Sequence, residues 1–135
     1  MKKKILITTG GSGGHVIPAT IFYEHLKYNF DVFLTTDARG SKFINSKNIS
    51  FNIIDIPKLN FNLIKLIPNI IKLFVSFYQS LLFLKKNKIE ILISTGGYMS
   101  FPFCILAKFL KIRIYLFEPN MVIGSTNKFF LKTCF

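Results

Sequence analysis

Short apolar runs recur along the chain, and each is followed by a polar or glycine-bearing loop and then by a stretch with helical spacing. The runs predict strands at Lys4–Thr9, Asp31–Thr35, Phe51–Ile56 (ended by Pro57), Ile89–Thr95 and Arg113–Phe117. Between them, helical spacing predicts a first helix at about Ile17–Tyr28, a long one over Asn62–Lys86 and another opening near Pro102. The polar stretch Asp37–Asn48 has room for one short helix. Continuous apolar strands alternating with helices make an α/β chain, with a parallel sheet covered on both faces.

The long helical segment is apolar nearly all round. Leu63, Ile67, Ile70, Phe74, Phe77 and Leu81 trace one face, and Ile64, Ile71, Val75 and Leu82 another, punctuated by Lys65, Lys72, Lys85 and Lys86. Its longest charge-free run, Leu73–Leu84, falls short of the ~18–20 residues a bilayer span needs. Two readings stay open: a crossover helix buried on the sheet, or one that also turns Phe and Ile residues to lipid headgroups while its lysines answer an anionic surface.

Composition narrows the classes. The 135 residues suit one domain, 1–135, and an apolar fraction of 50% excludes disorder. The net charge of +12 admits nucleic acid, anionic membranes or anionic substrates as partners. Part of it follows a general Lys, Ile, Asn and Phe bias, and no basic run exceeds Lys2–Lys4, so nucleic acid is not expected. Cys104 and Cys134 lack metal-type spacing and read as reduced thiols of a cytosolic protein. Three apolar residues after Lys2–Lys4 are too few for a signal peptide.

Candidate chemistry collects in three loops at strand ends. Thr8-Thr9-Gly10-Gly11-Ser12-Gly13-Gly14-His15-Val16-Ile17-Pro18 reads as strand, glycine loop and helix start, with Pro18 near the first helical position. Such a loop offers backbone N–H groups at a helix N-terminus and suits a phosphate or diphosphate; a tight turn without a ligand is the alternative. Thr95-Gly96-Gly97-Tyr98-Met99-Ser100 ends the fourth strand, and Glu118–Lys128 follows the fifth. Ligands of open α/β sheets bind at the carboxyl ends of strands. The expected cleft is floored by Gly10–Gly14 and Gly96–Gly97, with side chains from His15, Tyr98, Ser100, Glu118, Asn120 and Asn127.

Familiar chemistries fit poorly. In a nicotinamide fingerprint the third glycine would fall at Val16, leaving Asp37 as its one support. No Gly-Lys-Ser/Thr closes a P-loop, no cluster around His15 and His25 has metal-ligand spacing, and Gly11-Ser12-Gly13 is not a hydrolase elbow.

Together, Gly10-Gly11-Ser12-Gly13-Gly14-His15-Val16-x-Pro18, Gly96-Gly97-Tyr98-x-Ser100-x-Pro102 and Glu118-x-Asn120-x-x-x-Gly124-x-Thr126-Asn127-Lys128 resemble the N-terminal domain of glycosyltransferase family 28, across essentially the whole chain. The resemblance implies a Rossmann-like domain, the N-terminal half of a GT-B fold. It implies inverting transfer of N-acetylglucosamine to the 4-hydroxyl of a muramyl sugar on undecaprenyl diphosphate (lipid I), giving lipid II for peptidoglycan, without metal or cofactor. On that pattern Gly11, Ser12, Gly13, Gly14, Gly96 and Gly97 hold the acceptor diphosphate. Tyr98, Ser100, Asn120 and Asn127 belong to the acceptor site, and Glu118 joins them or only braces its loop. His15 is a candidate general base or a phosphate ligand. Ile67, Ile70, Ile71, Lys72 and Phe74 match a membrane-facing patch, which implies a peripheral protein on the cytoplasmic face of the bacterial inner membrane.

The chain departs from the pattern in places. Family members commonly have His-Glu-Gln-Asn where it has Phe117-Glu118-Pro119-Asn120, and Lys58-Leu59-Asn60-Phe61-Asn62 replaces a glycine-and-basic loop. The resemblance also implies a second domain for UDP-N-acetylglucosamine, with no counterpart here. No transfer by the chain alone is therefore expected. A truncated gene product, a membrane-associated subunit of a split glycosyltransferase and a non-catalytic acceptor-binding or membrane-surface module remain alternatives. So does a small nucleotide-binding Rossmann protein.

Overall fold

The computed structural model describes residues 2–45, 48–56, 63–121 and 123–131, with the backbone alone at 63–68, 125 and 126. Five parallel strands form one sheet in the order β3-β2-β1-β4-β5: β1 Lys4–Thr8, β2 Asp31–Thr36, β3 Asn52–Ile53, β4 Ile91–Ser94 and β5 Arg113–Leu116. The helices are α1 Gly13–Leu26, α2 Leu63–Lys86, α3 Ser100–Phe109 and α4 Ser125–Leu131, with a 3₁₀ turn at Gly40–Phe43.

Strand alternation splits the core in two. Ile5 and Ile7 of β1 and Leu34 of β2 pack on Val16 and Ala19 of α1. Leu6 and Leu92 turn to the other face, against Leu84 of α2, Phe103 and Ala107 of α3 and Phe130 of α4. Side chains of successive strand residues point to opposite faces, so apolar runs without polar interruption need cover on both sides. Cys104 is buried in α3, and Cys134 lies outside the described residues.

Three expectations shift. The first helix begins at Gly13, capped by the extended backbone of Ser12, which leaves Pro18 inside the helix rather than at its start. Glycines are poor helix formers, but a side chain at Gly13 would come within 3.2 Å of the Phe43 ring. Packing against the 3₁₀ turn thus selects a residue without one. The third strand is also shorter than Phe51–Ile56, because only Asn52 and Ile53 pair with β2. Ile54 and Ile56 are still buried, and the Asp55 carbonyl accepts the Ser76 hydroxyl at 3.0 Å.

The third shift concerns α2. Among its described side chains Ser76, Ser80 and Leu84 are buried, whereas Ile70, Ile71, Phe74, Val75, Tyr78 and Leu82 are exposed. Serines allow close approach of the helix to its neighbours, and Ser76 also returns a hydrogen bond to the Lys72 carbonyl at 2.8 Å.

Position in the sheet locates the site. β1 lies between β2 and β4, so the chain leaves β1 toward one edge and returns after α2 on the other side. The carboxyl ends of β1 and β4 therefore border the crevice where doubly wound sheets bind ligands.

Candidate functional site

The loops after β1 and β4 meet in that crevice, backbone against backbone. Gly96 and Gly97 have φ of +97° and +84°, left-handed values that glycine adopts without the Cβ penalty. A Cβ on Gly97 would stand 2.8 Å from the Gly10 carbonyl oxygen, and one on Gly96 would stand 2.9 Å from Cε1 of His15. Glycine is thus required twice over, by conformation and by space. The Thr95 N–H donates to the Thr8 carbonyl at 3.2 Å and continues the ladder up to the contact.

His15 stands where the two loops join. Its Nδ1 lies 2.7 Å from the Thr95 carbonyl oxygen, and the Thr95 hydroxyl donates to the His15 carbonyl at 3.0 Å. A carbonyl only accepts, so this contact assigns the proton to Nδ1 and leaves Nε2 of the neutral ring with its lone pair. At the start of α1 the helix ladder leaves over the N–H groups of Gly13 and Gly14, whereas the His15 N–H closes on the Ser12 carbonyl at 3.1 Å. Ser12 makes no side-chain capping bond and is exposed along with Gly14.

Asp37, at the end of β2, ties the first loop down. Its Oδ1 accepts the N–H groups of Gly11 at 2.9 Å and Gly40 at 2.8 Å, while Oδ2 faces Nε and Nη2 of Arg39 at 3.3 and 3.2 Å. Burial would raise this carboxyl, but those N–H donors and the Arg39 guanidinium outweigh it and hold it below the usual carboxylate range. A ribose-binding acid must present free oxygens to the ligand, whereas Asp37 is buried with its oxygens engaged inside the protein. Arg39 reaches across to the second loop, donating to the Tyr98 hydroxyl at 3.3 Å with its guanidinium carbon 5.6 Å from the ring centroid. Burial pushes the Tyr98 phenol up, against the opposing pull of Arg39.

The loop after β5 is organised by Glu118. Its Oε1 accepts the backbone and side-chain N–H groups of Asn120 at 3.2 and 2.9 Å, and Oε2 those of Gly124 at 2.8 Å and Asn127 at 3.1 Å. Burial pushes Glu118 up, but the donors at Gly124, Asn120 and Asn127 hold it below the usual range. Asn127 is buried and also donates to the Phe117 carbonyl at 3.2 Å, and its Oδ1 has no partner among the described residues. Phe101, Phe129 and Phe130 pack together and fix α4 on α3 behind this loop.

The fold therefore gathers Gly11, Ser12, Gly13, Gly14, His15, Gly96, Gly97 and Tyr98 at one crevice. Ser100 is placed otherwise: it is fully buried, and its hydroxyl donates to the Gly96 carbonyl at 3.0 Å, which makes it a support of the second loop. Glu118 serves as the brace of its loop, and exposed Asn120 lies on the outer side of that brace. The sequence pattern carries no sign of Arg39 and presents Asp37 only as support for a nicotinamide fingerprint. An acid at the end of β2 was the available signal, but which N–H groups face it is a matter of tertiary structure. On α2, Ile70, Ile71, Lys72 and Phe74 are exposed, and the Ile67 side chain lies outside the described residues. Among the described residues no helix is long and apolar enough to cross a membrane.

Acid should expose the structural role of Asp37. Its lowered folded pKa means that its stabilisation is fully present above the unfolded value of about 3.9 and disappears as pH falls through the lower folded value. Asp37→Ala leaves the Gly11 and Gly40 N–H groups without their acceptor, at a cost of about 1–3 kcal/mol for buried Gly40 and less for half-buried Gly11. Urea melts should show a large deficit for the variant at pH 7, narrowing steadily below pH ~4.

The glycosyltransferase family 28 N-terminal domain matches this chain over residues 5–134. A protein of Pelagibacter ubique (strain HTCC1062), UDP-N-acetylglucosamine–N-acetylmuramyl-(pentapeptide) pyrophosphoryl-undecaprenol N-acetylglucosamine transferase, is 53% identical over 99% of the chain and 38% of its own length. Its namesake in Rickettsia felis is 34% identical over 95% of the chain and 35% of its own length. The crystal structure of Acinetobacter baumannii MurG superposes with a TM-score of 0.80 at 25% identity, covering 96% of this chain and 39% of that one. The chain thus spans less than two fifths of the length of these relatives.

Proposed function

The chain belongs to glycosyltransferase family 28, whose N-terminal domain it matches over residues 5–134, and from that premise we propose that it is the acceptor-binding part of an inverting N-acetylglucosaminyltransferase that makes lipid II. The observation that carries this reading is His15, held by the Thr95 carbonyl at the junction of the two glycine loops, with no partner for Nε2 among the described residues. The acceptor's diphosphate lies between the first turn of α1 and the second loop, where the Gly13 and Gly14 N–H groups left over by the helix, together with its dipole, favour an anion. Its muramyl 4-hydroxyl then meets Nε2. As that oxygen bonds to the anomeric carbon of N-acetylglucosamine, the bond from that carbon to the UDP oxygen breaks and the hydroxyl proton passes to Nε2. The Thr95 carbonyl stabilises the imidazolium that forms.

With the Nδ1 proton held by the Thr95 carbonyl, Nε2 of a neutral ring is an acceptor, the role that a general base requires. Glu118 has its oxygens occupied by loop donors and is assigned a bracing role. UDP-N-acetylglucosamine is bound outside these 135 residues, by a second domain or a partner chain. Fusing the chain to the C-terminal part of the Pelagibacter relative tests this assignment. The fusion should transfer N-acetylglucosamine to undecaprenyl-diphosphate-linked muramyl peptide. A folded fusion that binds UDP-N-acetylglucosamine yet transfers none contradicts it.

The exposed Ile70, Ile71 and Phe74 beside Lys72 support contact with an anionic membrane surface, on the cytoplasmic face of the inner membrane where the acceptor is presented. The chain should float with vesicles containing anionic lipid. Replacing Ile71 and Phe74 by glutamate should cut the floated fraction severalfold without altering the melt, because both side chains are already exposed. Flotation equal to wild type counts against the patch.

A further inference from the structure

We infer that Arg39 is a further binding residue of the crevice, taking an oxygen of the acceptor's diphosphate with Nη1 of its guanidinium. This deepens the reading above and rests on it. Arg39 bridges the two glycine loops. Nε and Nη2 face Oδ2 of Asp37, Nη2 also donates to the Tyr98 hydroxyl, and Nη2 lies 3.6 Å from where a Cβ on Gly11 would stand. These contacts take the Nε N–H and both N–H groups of Nη2, and both N–H groups of Nη1 are without a partner among the described residues.

Two features give the placement chemical weight. Asp37 consumes the Gly11 N–H, so the first loop has one donor fewer for an anion than its glycines suggest. The cation carried by that carboxylate stands beside the same glycine and restores a donor with a formal charge. Asp37 and the Tyr98 ring also hold the guanidinium in place, so binding has less side-chain freedom to remove, and the two N–H groups of Nη1 fork toward phosphate oxygens with a formal charge behind them. Half of the Arg39 side chain remains open to solvent, at 48% exposure.

The test is a calorimetric titration of the 135-residue chain with a muramyl pentapeptide on a short-chain polyprenyl diphosphate, with UDP-N-acetylglucosamine and inorganic diphosphate as separate arms. Arg39→Met should weaken binding of the lipid-linked acceptor and of inorganic diphosphate tenfold or more. Arg39→Lys keeps the charge without the fork and should fall between. Phosphorus resonances of the bound diphosphate should move toward their free positions in Arg39→Met, a change that a merely structural role would not produce. Should the methionine variant melt early, Tyr98→Phe, which removes one anchor and keeps the cation, should still weaken diphosphate binding severalfold. Wild-type affinity in folded variants overturns the assignment of Arg39 and leaves the acceptor reading standing. An effect confined to UDP-N-acetylglucosamine overturns it as well. No binding of the lipid-linked acceptor by wild type overturns the acceptor reading itself.

Discussion

Gly97→Ala should separate the two glycine loops and lower the melting temperature by roughly 10 °C. Two costs add at this position. A left-handed backbone costs a residue with a Cβ about 1–2 kcal/mol, and Gly97 sits at φ +84°. The new methyl would also stand 2.8 Å from the Gly10 carbonyl oxygen, and because that atom is backbone the first loop itself must move. The combined cost is about 2–4 kcal/mol, and each kcal/mol shifts the melt of a domain this size by about 3–5 °C. Gly14→Ala is the matched control. It lies in the first turn of α1, and its nearest neighbour is the Ser12 hydroxyl at 3.7 Å, so it should melt at or above wild type. Thermal melts of the two variants check both expectations, and equal melts would mean that the loops do not depend on their backbone contact.

The second large effect belongs to His15. In the fusion with the Pelagibacter C-terminal part, His15→Gln should reduce the rate of transfer by about 10²–10⁴-fold, the range for loss of a general base. Glutamine can still donate to the Thr95 carbonyl, so acceptor affinity should change only a few-fold. Single-turnover rates at saturating acceptor separate the two quantities. A rate within tenfold of wild type would make His15 a structural residue of the loop junction.

Much of this arrangement was legible in the sequence for physical reasons. Ile5-Leu6-Ile7 followed by glycines and a helical stretch has few folded solutions, and three such glycine-bearing loops at strand ends must share one edge of a parallel sheet. Other features were hidden for equally physical reasons. α2 is apolar all round, so periodicity could not select its buried face; Ser76 and Ser80 face inward because small side chains permit close packing. The start of α1 was misplaced by reading Pro18 as a first-turn residue, although Ser12 caps the helix well before it. The paired part of β3 ends at Ile53, a limit that the alternation through Ile56 does not reveal. Ser100 looked like a ligand contact because it adjoins the glycines, yet its hydroxyl is spent on the Gly96 carbonyl. Asp37 and Arg39 required the tertiary structure, since their meaning lies in Gly11, Gly40 and Tyr98 converging from separate segments.

A residue-resolved nuclear magnetic resonance titration of the ¹⁵N-labelled chain with short-chain polyprenyl-diphosphate muramyl pentapeptide decides whether the two glycine loops bind the acceptor. The amides of Gly13, Gly14, His15, Gly96 and Gly97 should shift together and saturably, while UDP-N-acetylglucosamine leaves them in place. Silent loop amides at saturating acceptor, or the same shifts produced by UDP-N-acetylglucosamine, would contradict acceptor binding there.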